Sequence, residues 1–189
     1  MGKEKELREI EEEIYGCKKC ELWKIRKFPV PGEGNPDAEI MLIGLGPGYN
    51  ENEQGKPFVG QAGKFLDELL KLKNLSREEI YITNVIKCYL PDNKPTQNQI
   101  KACSPYLDSQ IDIIKPKIIL TLGNVATSHI FQKFGLNLEP MGRIHGRIFM
   151  VNTLFLKSKI VPMYHPASAL YNPGMKEILK KDWSDLDLI

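Results

Sequence analysis

The sequence predicts an α/β fold, a three-layer α/β/α sandwich around a short, mostly parallel β-sheet. Three observations lead there. Short apolar runs at residues 39–44, 80–86 and 117–122 read as buried strands, and each is followed by a stretch of helical periodicity. Strand and helix in alternation build a parallel sheet with right-handed crossovers and helices on both faces. The first run also ends in Gly44-Leu45-Gly46-Pro47-Gly48, a turn stripped of Cβ atoms where a strand finishes, so that a ligand there meets backbone.

At 189 residues the chain is long enough for one sizeable core and short for two. A single domain over 1–189 is expected, with an N-terminal helix and cysteine arm, 1–36, packed on it. The apolar share of 42% and charged share of 26% are those of a globular protein, which excludes disordered and fibrous classes. The net charge of +2 hides an asymmetry. Arg143, Arg147, Lys157, Lys159, Lys176, Lys180 and Lys181 face little acid over residues 141–181, either as a solvated surface or as a track for phosphates. The charged N-terminus excludes a secretory signal, and no run of apolar residues is long enough to span a membrane. A cytoplasmic location is expected, where four cysteines serve metal ligation rather than disulfides.

Residues 3–15 carry Leu7, Ile10 and Ile14 at helical spacing, predicting an amphipathic helix that ends at Gly16. Cys17-Lys-Lys-Cys20 follows, then a basic, aromatic segment through Trp23, Lys24, Arg26, Lys27 and Phe28, then a Pro- and Gly-rich loop at 29–36. After the first strand and its glycine turn comes an extended loop holding Phe58. An amphipathic helix opens near Gly60 and closes around Asn74, and Ser76-Arg-Glu-Glu offers a new helical cap. In the second strand Asn84 is the exception among β-branched and aromatic residues. It stands there either because the strand is ending or to present its amide, and the second reading is preferred.

Beyond Cys88, residues 90–96 are loop and Thr96 caps a helix to about Ile114 that contains Cys103. Pro105 means that this helix starts after Cys103 or is kinked. Gly123-Asn124 opens the next helix, with Val125, Ala126, Ile130 and Phe131 inward. Short strands at 147–151 and 159–163 lead to Tyr164-His165-Pro166, and a tail helix from Pro173 is amphipathic through Ile178 and Trp183.

Three strand ends thus deliver the Gly44–Gly48 turn, Asn84 and His165, and in a parallel sheet they share the carboxyl edge where ligands bind. His129 and His145 do not converge with that edge, Asp108 and Asp112 read as solvated helix-face carboxylates, and Met41 and Met163 read as core. Cys17, Cys20, Cys88 and Cys103 could hold tetrahedral zinc or a 4Fe-4S cluster, which the spacing does not separate. Two rival classes remain. A nucleotide-binding enzyme would need the Gly-Lys-Ser/Thr ending or the full dinucleotide fingerprint, which are absent; a non-catalytic iron-sulfur or zinc protein that carries electrons would need the compact ferredoxin spacing, also absent, which leaves one that binds DNA as the alternative.

Taken together, Gly44-x-Gly46-Pro47-Gly48, Gly55-Lys56-Pro57-Phe58-Val59-Gly60-x-Ala62-Gly63, Tyr81-Ile82-Thr83-Asn84, the four cysteines and His165-Pro166-Ala167-Ser168 resemble the uracil-DNA glycosylase superfamily. The likeness runs from about Gly16 to about Pro173 and is nearest to the iron-sulfur family four. That resemblance implies a DNA-repair hydrolase that flips uracil out of single- and double-stranded DNA and cleaves its N-glycosidic bond. It implies a pocket in which Phe58 stacks on the base, Asn84 pairs with its O4 and N3-H, His165 donates to O2, and Gly46 and Pro47 line the wall. Glu51 is the candidate for orienting water, since Gly46 stands where family one has an Asp. Ser168, Leu170 and Tyr171 match a DNA-intercalating loop, and the four cysteines match the ligands of a 4Fe-4S cluster. Leu45 departs from the usual Glu of family four and is typical of the broader family five, and Gly48 replaces the tyrosine with which family one excludes thymine. Residues 90–101 lack the His of a covalently trapping relative, so turnover is expected. The sequence reveals no partner such as a sliding clamp, and a monomer is the expectation.

Overall fold

A computed structural model describes residues 2–187. Its strands are β1 (Glu33–Gly34), β2 (Ile40–Gly44), β3 (Tyr81–Asn84), β4 (Ile118–Leu122), β5 (Phe149–Asn152) and β6 (Lys157–Met163). They form one sheet in the order β1-β3-β2-β4-β6-β5. The four inner strands are parallel, and only the outer pairs, β1 with β3 and β5 with β6, are antiparallel. The helices are α1 (Lys3–Gly16), α2 (Tyr49–Gln54), α3 (Gln61–Lys71), α4 (Gln97–Ile114), α5 (Asn124–Phe134), α6 (Met141–Ile144), α7 (Ser168–Tyr171) and α8 (Pro173–Asp185).

Strand side chains alternate between two cores. Met41, Ile43, Ile119 and Ile160 point to one face, where Leu107 and Ile111 of α4 and Ile130 and Phe131 of α5 cover them. Leu42, Ile82, Leu120, Val161 and Met163 point to the other, under Leu66 and Leu69 of α3 and Leu179 and Trp183 of α8. Strands buried on both faces account for apolar runs without a polar alternation. A third cluster joins Ile10 and Ile14 of α1 to Leu22, Leu90 and the cysteines, and so docks the N-terminal arm against α4.

Several expectations need correction. The run after the glycine turn, expected as extended loop, winds into α2, which presents Glu51; Gly55 ends it in the left-handed region at φ 70°. The 29–36 loop contains the two-residue β1. Helix α4 runs through Pro105 from a Thr96–Gln99 capping box, so it does not start after Cys103. On α8 the buried face is Leu179 and Trp183, while Ile178 is exposed. Asp108 is not simply solvated, because it accepts from His129 Nε2 at 3.1 Å and lies 3.5 Å from Lys133 Nζ. Four of the seven cations of the basic run have a carboxylate partner from outside it, Arg147 with Glu139, Lys159 with Asp187, Lys176 with Glu68 and Lys181 with Asp185.

Candidate active site

Parallel register sets Gly44 beside Asn84 at the carboxyl ends of β2 and β3, and β6 ends two residues before His165. The three strand ends enclose a cavity of about 360 Å³ lined by Leu45, Gly46, Gly48, Glu51, Phe58, Ala62, Asn84, Asn93, His165 and Ala167. A larger cleft of about 570 Å³ opens between α4 and α5. Its His129 is bonded to Asp108, and none of the three strand ends opens into it.

Phe58 is the floor of the smaller cavity, and its placement is forced. The residue is buried at φ 51°, a left-handed conformation that costs a side-chain-bearing residue roughly 1–2 kcal/mol. Arg77 holds it there. Its NH2 donates to Phe58 O at 2.7 Å, NH1 to Pro57 O at 3.2 Å, and Nε to Asp67 Oδ1 at 2.7 Å. A Cβ at Gly63 would overlap the Phe58 carbonyl, and one at Gly44 would overlap both the Phe58 ring and Asn84 Oδ1. These two glycines let backbone, ring and amide meet.

Asn84 is buried with its amide facing the cavity, and no hydrogen bond occupies it among the described residues. His165 stacks on Phe58 with ring centroids 5.7 Å apart and planes 25° from parallel. Its Nδ1 accepts from the Ala167 backbone N–H at 3.1 Å, so the proton of the neutral ring sits on Nε2. Burial pushes the His165 pKa down to about 4, against the upward pull of the Glu51 carboxylate. At neutral pH the site therefore offers a neutral N–H donor. Glu51 Oε1 accepts from the backbone N–H groups of Val59 and Gly60, both at 2.8 Å, at the start of α3. Its Oε2 lies on the Gly48 side.

Gly46 and Gly48 line the cavity, whereas Pro47, expected beside them, is buried with its carbonyl accepting from Leu90 N at 3.1 Å. Physically, the turn presents its glycines inward and uses Pro47 to anchor the next loop. Ser168 Oγ donates to the His165 carbonyl at 2.7 Å and opens α7, at whose end Leu170 and Tyr171 are exposed, Tyr171 to 88%. Tyr171 does not pack under the tail helix.

Cys17, Cys20, Cys88 and Cys103 line a second, small cavity with Arg26, Lys87 and Tyr106. Arg26 NH1 donates to Cys88 Sγ and the Lys87 backbone N–H to Cys103 Sγ, each at 3.1 Å. Such donors suit thiolates. Burial raises the Cys20 and Cys88 thiols and pushes Cys103 up to about 12, so a bound metal would have to displace their protons. Among the described residues no three His, Cys, Asp or Glu side chains are arranged to hold a single metal ion. Beside them Lys87 is buried, its Nζ donating to Thr83 Oγ1 at 2.6 Å and Gln110 Oε1 at 2.7 Å, and burial lowers its pKa to about 7.

Sequence reasoning missed Arg77, Asn93 and Lys87. Arg77 sits in Ser76-Arg-Glu-Glu, whose capping signal is real, since Ser76 and Glu79 form the box, but masks the arginine's reach to Phe58. Asn93, at φ 54° in the loop before α4, carried a signal in Asp92-Asn93, a pair suited to a tight turn. A lysine between Ile86 and Cys88 gives no sign of burial.

A flat aromatic floor, a free amide and a neutral imidazole at the carboxyl edge of an α/β/α sandwich define a site for a planar, polar heterocycle. Residues 31–187 match the family model of the uracil DNA glycosylase superfamily, and the chain belongs to that superfamily. Within it the chain is similar to both type-4 and type-5 uracil-DNA glycosylases, with the higher identities among the type-4 enzymes. The chain is 48% identical over 182 residues to the type-4 uracil-DNA glycosylase of Sulfurisphaera tokodaii, covering 95% of this chain and 83% of that protein. It is 49% identical over 176 residues to that of Saccharolobus solfataricus, covering 92% and 82%. The type-5 uracil-DNA glycosylase of Thermus thermophilus matches at 33% over 133 residues, 62% of this chain and 61% of that protein.

Proposed function

We propose that this chain excises uracil from DNA, extruding the nucleotide from the strand, hydrolysing the N-glycosidic bond and leaving an abasic site for repair. The observation that carries the reading is the meeting of Asn84, Phe58 and the Nε2–H of neutral His165 in one cavity. A flipped uracil stacks on Phe58 while the Asn84 amide donates to O4 and accepts from N3–H. Cytosine presents the reverse pattern and leaves buried polar groups unpaired, at roughly 1–3 kcal/mol each.

As the bond to the sugar breaks, negative charge moves onto the base. His165 donates to O2 where that charge accumulates, a contribution of about 3–4 kcal/mol for a well-placed donor. Because the ring is neutral and its tautomer fixed, it stabilises the departing uracil anion as a hydrogen-bond donor without first needing a proton from solvent. Glu51 spends one oxygen on the start of α3, and the other orients the attacking water. With leaving-group stabilisation dominant, the missing Asp at Gly46 is tolerable. Gly46 and Gly48 admit the sugar, and Leu170 or Tyr171 fills the gap left in the strand, with Ser168 fixing the start of their loop.

The four cysteines fit a 4Fe-4S cluster. All four line one cavity, donors face two of the sulfurs, and a cluster of four irons does not ask three thiolates to converge on one ion. Its role is to cross-link the arm to the segment after Asn84. We take the chain to work as one domain over 1–189, as a monomer in the cytoplasm, on single- and double-stranded DNA. A broader base range is the second reading, favoured by Leu45 on the cavity wall.

The test is incubation with uracil-containing single- and double-stranded oligonucleotides, scoring alkali-labile sites. Wild type is expected to cleave both, and Asn84→Ala or His165→Ala to lose nearly all activity; either variant at wild-type rate would sink the assignment. Oligonucleotides carrying other damaged bases decide between the two ranges.

A further inference from the structure

The basic, aromatic segment after the second cysteine has no part in the pocket, yet it is built as a surface. Residues 17–28 hold five cations, Lys18, Lys19, Lys24, Arg26 and Lys27, against one carboxylate, Glu21. Leu22 alone of its large apolar side chains turns inward, while Trp23 is 37% and Phe28 43% exposed, with Ile25 between them also outward. Arg26 is occupied inward with Cys88 and the Tyr15 carbonyl, and Lys27 pairs with Glu53. Lys19 Nζ lies 4.5 Å from the centre of the Tyr106 ring, and Lys18 and Lys24 remain on the outer surface, Lys18 Nζ 5.1 Å from the centre of the Trp23 ring.

This surface is fastened to the pocket wall. The backbone N–H of Phe28 donates to the Asn52 carbonyl at 3.3 Å, and that of Lys27 to Asn52 Oδ1 at 2.8 Å. Asn52 is the buried residue of α2, the helix whose Glu51 lines the cavity and whose Tyr49 stands 65% exposed. Exposed rings on Tyr49, Phe28 and Trp23 therefore belong to one connected unit that begins at the cavity and extends onto the arm.

We propose that the outer face of the cysteine arm, with Trp23 and Phe28 as stacking platforms and Lys18 and Lys24 as phosphate contacts, binds an unpaired flank of the uracil-bearing strand. The proposal rests on the uracil-excision reading for the identity of that strand. Interleaved rings and ammonium groups match single-stranded nucleic acid, whose bases have open faces and whose phosphates repeat along the chain. A duplex keeps those faces stacked and gains only the charge contacts. The cysteine site then has a consequence at the DNA, because it fixes the arm that carries the platform.

The experiment measures binding of the full chain to uracil-free oligothymidine, single-stranded and in a duplex, by fluorescence anisotropy. The double variant Trp23→Ala/Phe28→Ala is expected to bind the single strand at least about tenfold more weakly and the duplex much less affected. Circular dichroism and the visible spectrum check that the arm is still formed. Lys18→Gln/Lys24→Gln leaves the rings in place and is expected to shallow the slope of log affinity against log salt by about 1.4. A control pair, Leu154→Ala/Phe155→Ala, removes exposed apolar groups from the β5–β6 turn, at the opposite end of β6 from His165. The proposal is overturned if Trp23→Ala/Phe28→Ala binds the single strand like wild type, or if the control pair loses as much. Uracil excision by wild type, assayed separately, reports on the activity itself. Its absence alongside arm-dependent binding would remove the excision reading and leave a single-strand binding surface.

Discussion

Arg77→Met removes the clamp on Phe58 while keeping most of the aliphatic stem. The guanidinium makes two charge-assisted bonds of 2.7 Å, to Phe58 O and Asp67, and a longer one to Pro57 O, with its side chain 24% exposed. Charge-assisted bonds contribute roughly 1.5–3 kcal/mol each, and partial exposure puts this set at the low end, about 3 kcal/mol together. That exceeds the roughly 1–2 kcal/mol by which φ 51° disfavours Phe58, so the clamp is strong enough to hold the strained residue. Without it two effects separate. Stability falls by about 2–3 kcal/mol, lowering Tm by roughly 5–10 °C for a chain of this size. The platform is also in place only part of the time, about one molecule in ten if the strain is released. Stacking on Phe58 is felt by bound substrate and transition state alike, so KM rises about tenfold while kcat changes little. Steady-state kinetics on a uracil oligonucleotide, well below the variant's Tm, measure this. Arg77→Met with wild-type KM refutes the reasoning, as does a Phe58→Ala/Arg77→Met double variant that loses the sum of the two single effects.

Asn84→Asp should lower uracil excision by at least about tenfold, because a carboxylate repels O4, and should raise cytosine excision, whose amino group it can accept; paired oligonucleotide assays read both. Gly44→Ala should abolish excision, since the new methyl overlaps Asn84 and Phe58, with loss of soluble protein or activity as the readout. The acid limb of kcat/KM should lie near pH 4, where folded His165 takes up its proton, and a limb at pH 6.5 would contradict the burial argument. Stability follows the same group. The unfolded imidazole protonates around pH 6.5 and the folded one near 4, so its contribution is fully present above 6.5 and is lost as pH falls through that window, by up to about 3 kcal/mol. Cys88→Ser should lose visible absorption and loosen the arm to proteolysis if the four thiols hold a cluster.

The inner sheet was legible because strands buried on both faces write themselves as apolar runs, and parallel pairing then puts Gly44, Asn84 and His165 at one edge. Polar residues at strand ends were visible as breaks in those runs. What stayed hidden depends on contacts distant in sequence. Helix α2 is short and polar, and it is held by contacts distant in sequence, the Glu51 carboxylate on Val59 and Gly60 and Asn52 on the backbone of residues 27–28. Arg77 reaches back nineteen residues to Phe58, and no local pattern encodes that span. Pro105 argued against a continuous helix, yet α4 continues through it, with Cys103 and Tyr106 packing on α1 and the arm.

These hidden contacts bear on how the chemistry is divided. A site relying on a strong base would need a carboxylate free to take a proton from water, yet Glu51 has one oxygen bound to two backbone donors. The same contact ties α2, which forms one wall, to the start of α3, which follows the Phe58 loop. Glu51 is thus a brace as well as the proposed water ligand, and Glu51→Gln separates the two roles. The amide oxygen can still accept from Val59 and Gly60, so the pocket should keep its shape and KM its value. Only the charge facing water and His165 is lost. Without that carboxylate the His165 pKa should fall below about 4, and the acid limb of the pH profile should move down with it. If leaving-group stabilisation dominates, kcat falls by no more than about a hundredfold, within the usual range for general base assistance. A loss as complete as that of His165→Ala would place the burden on water activation instead.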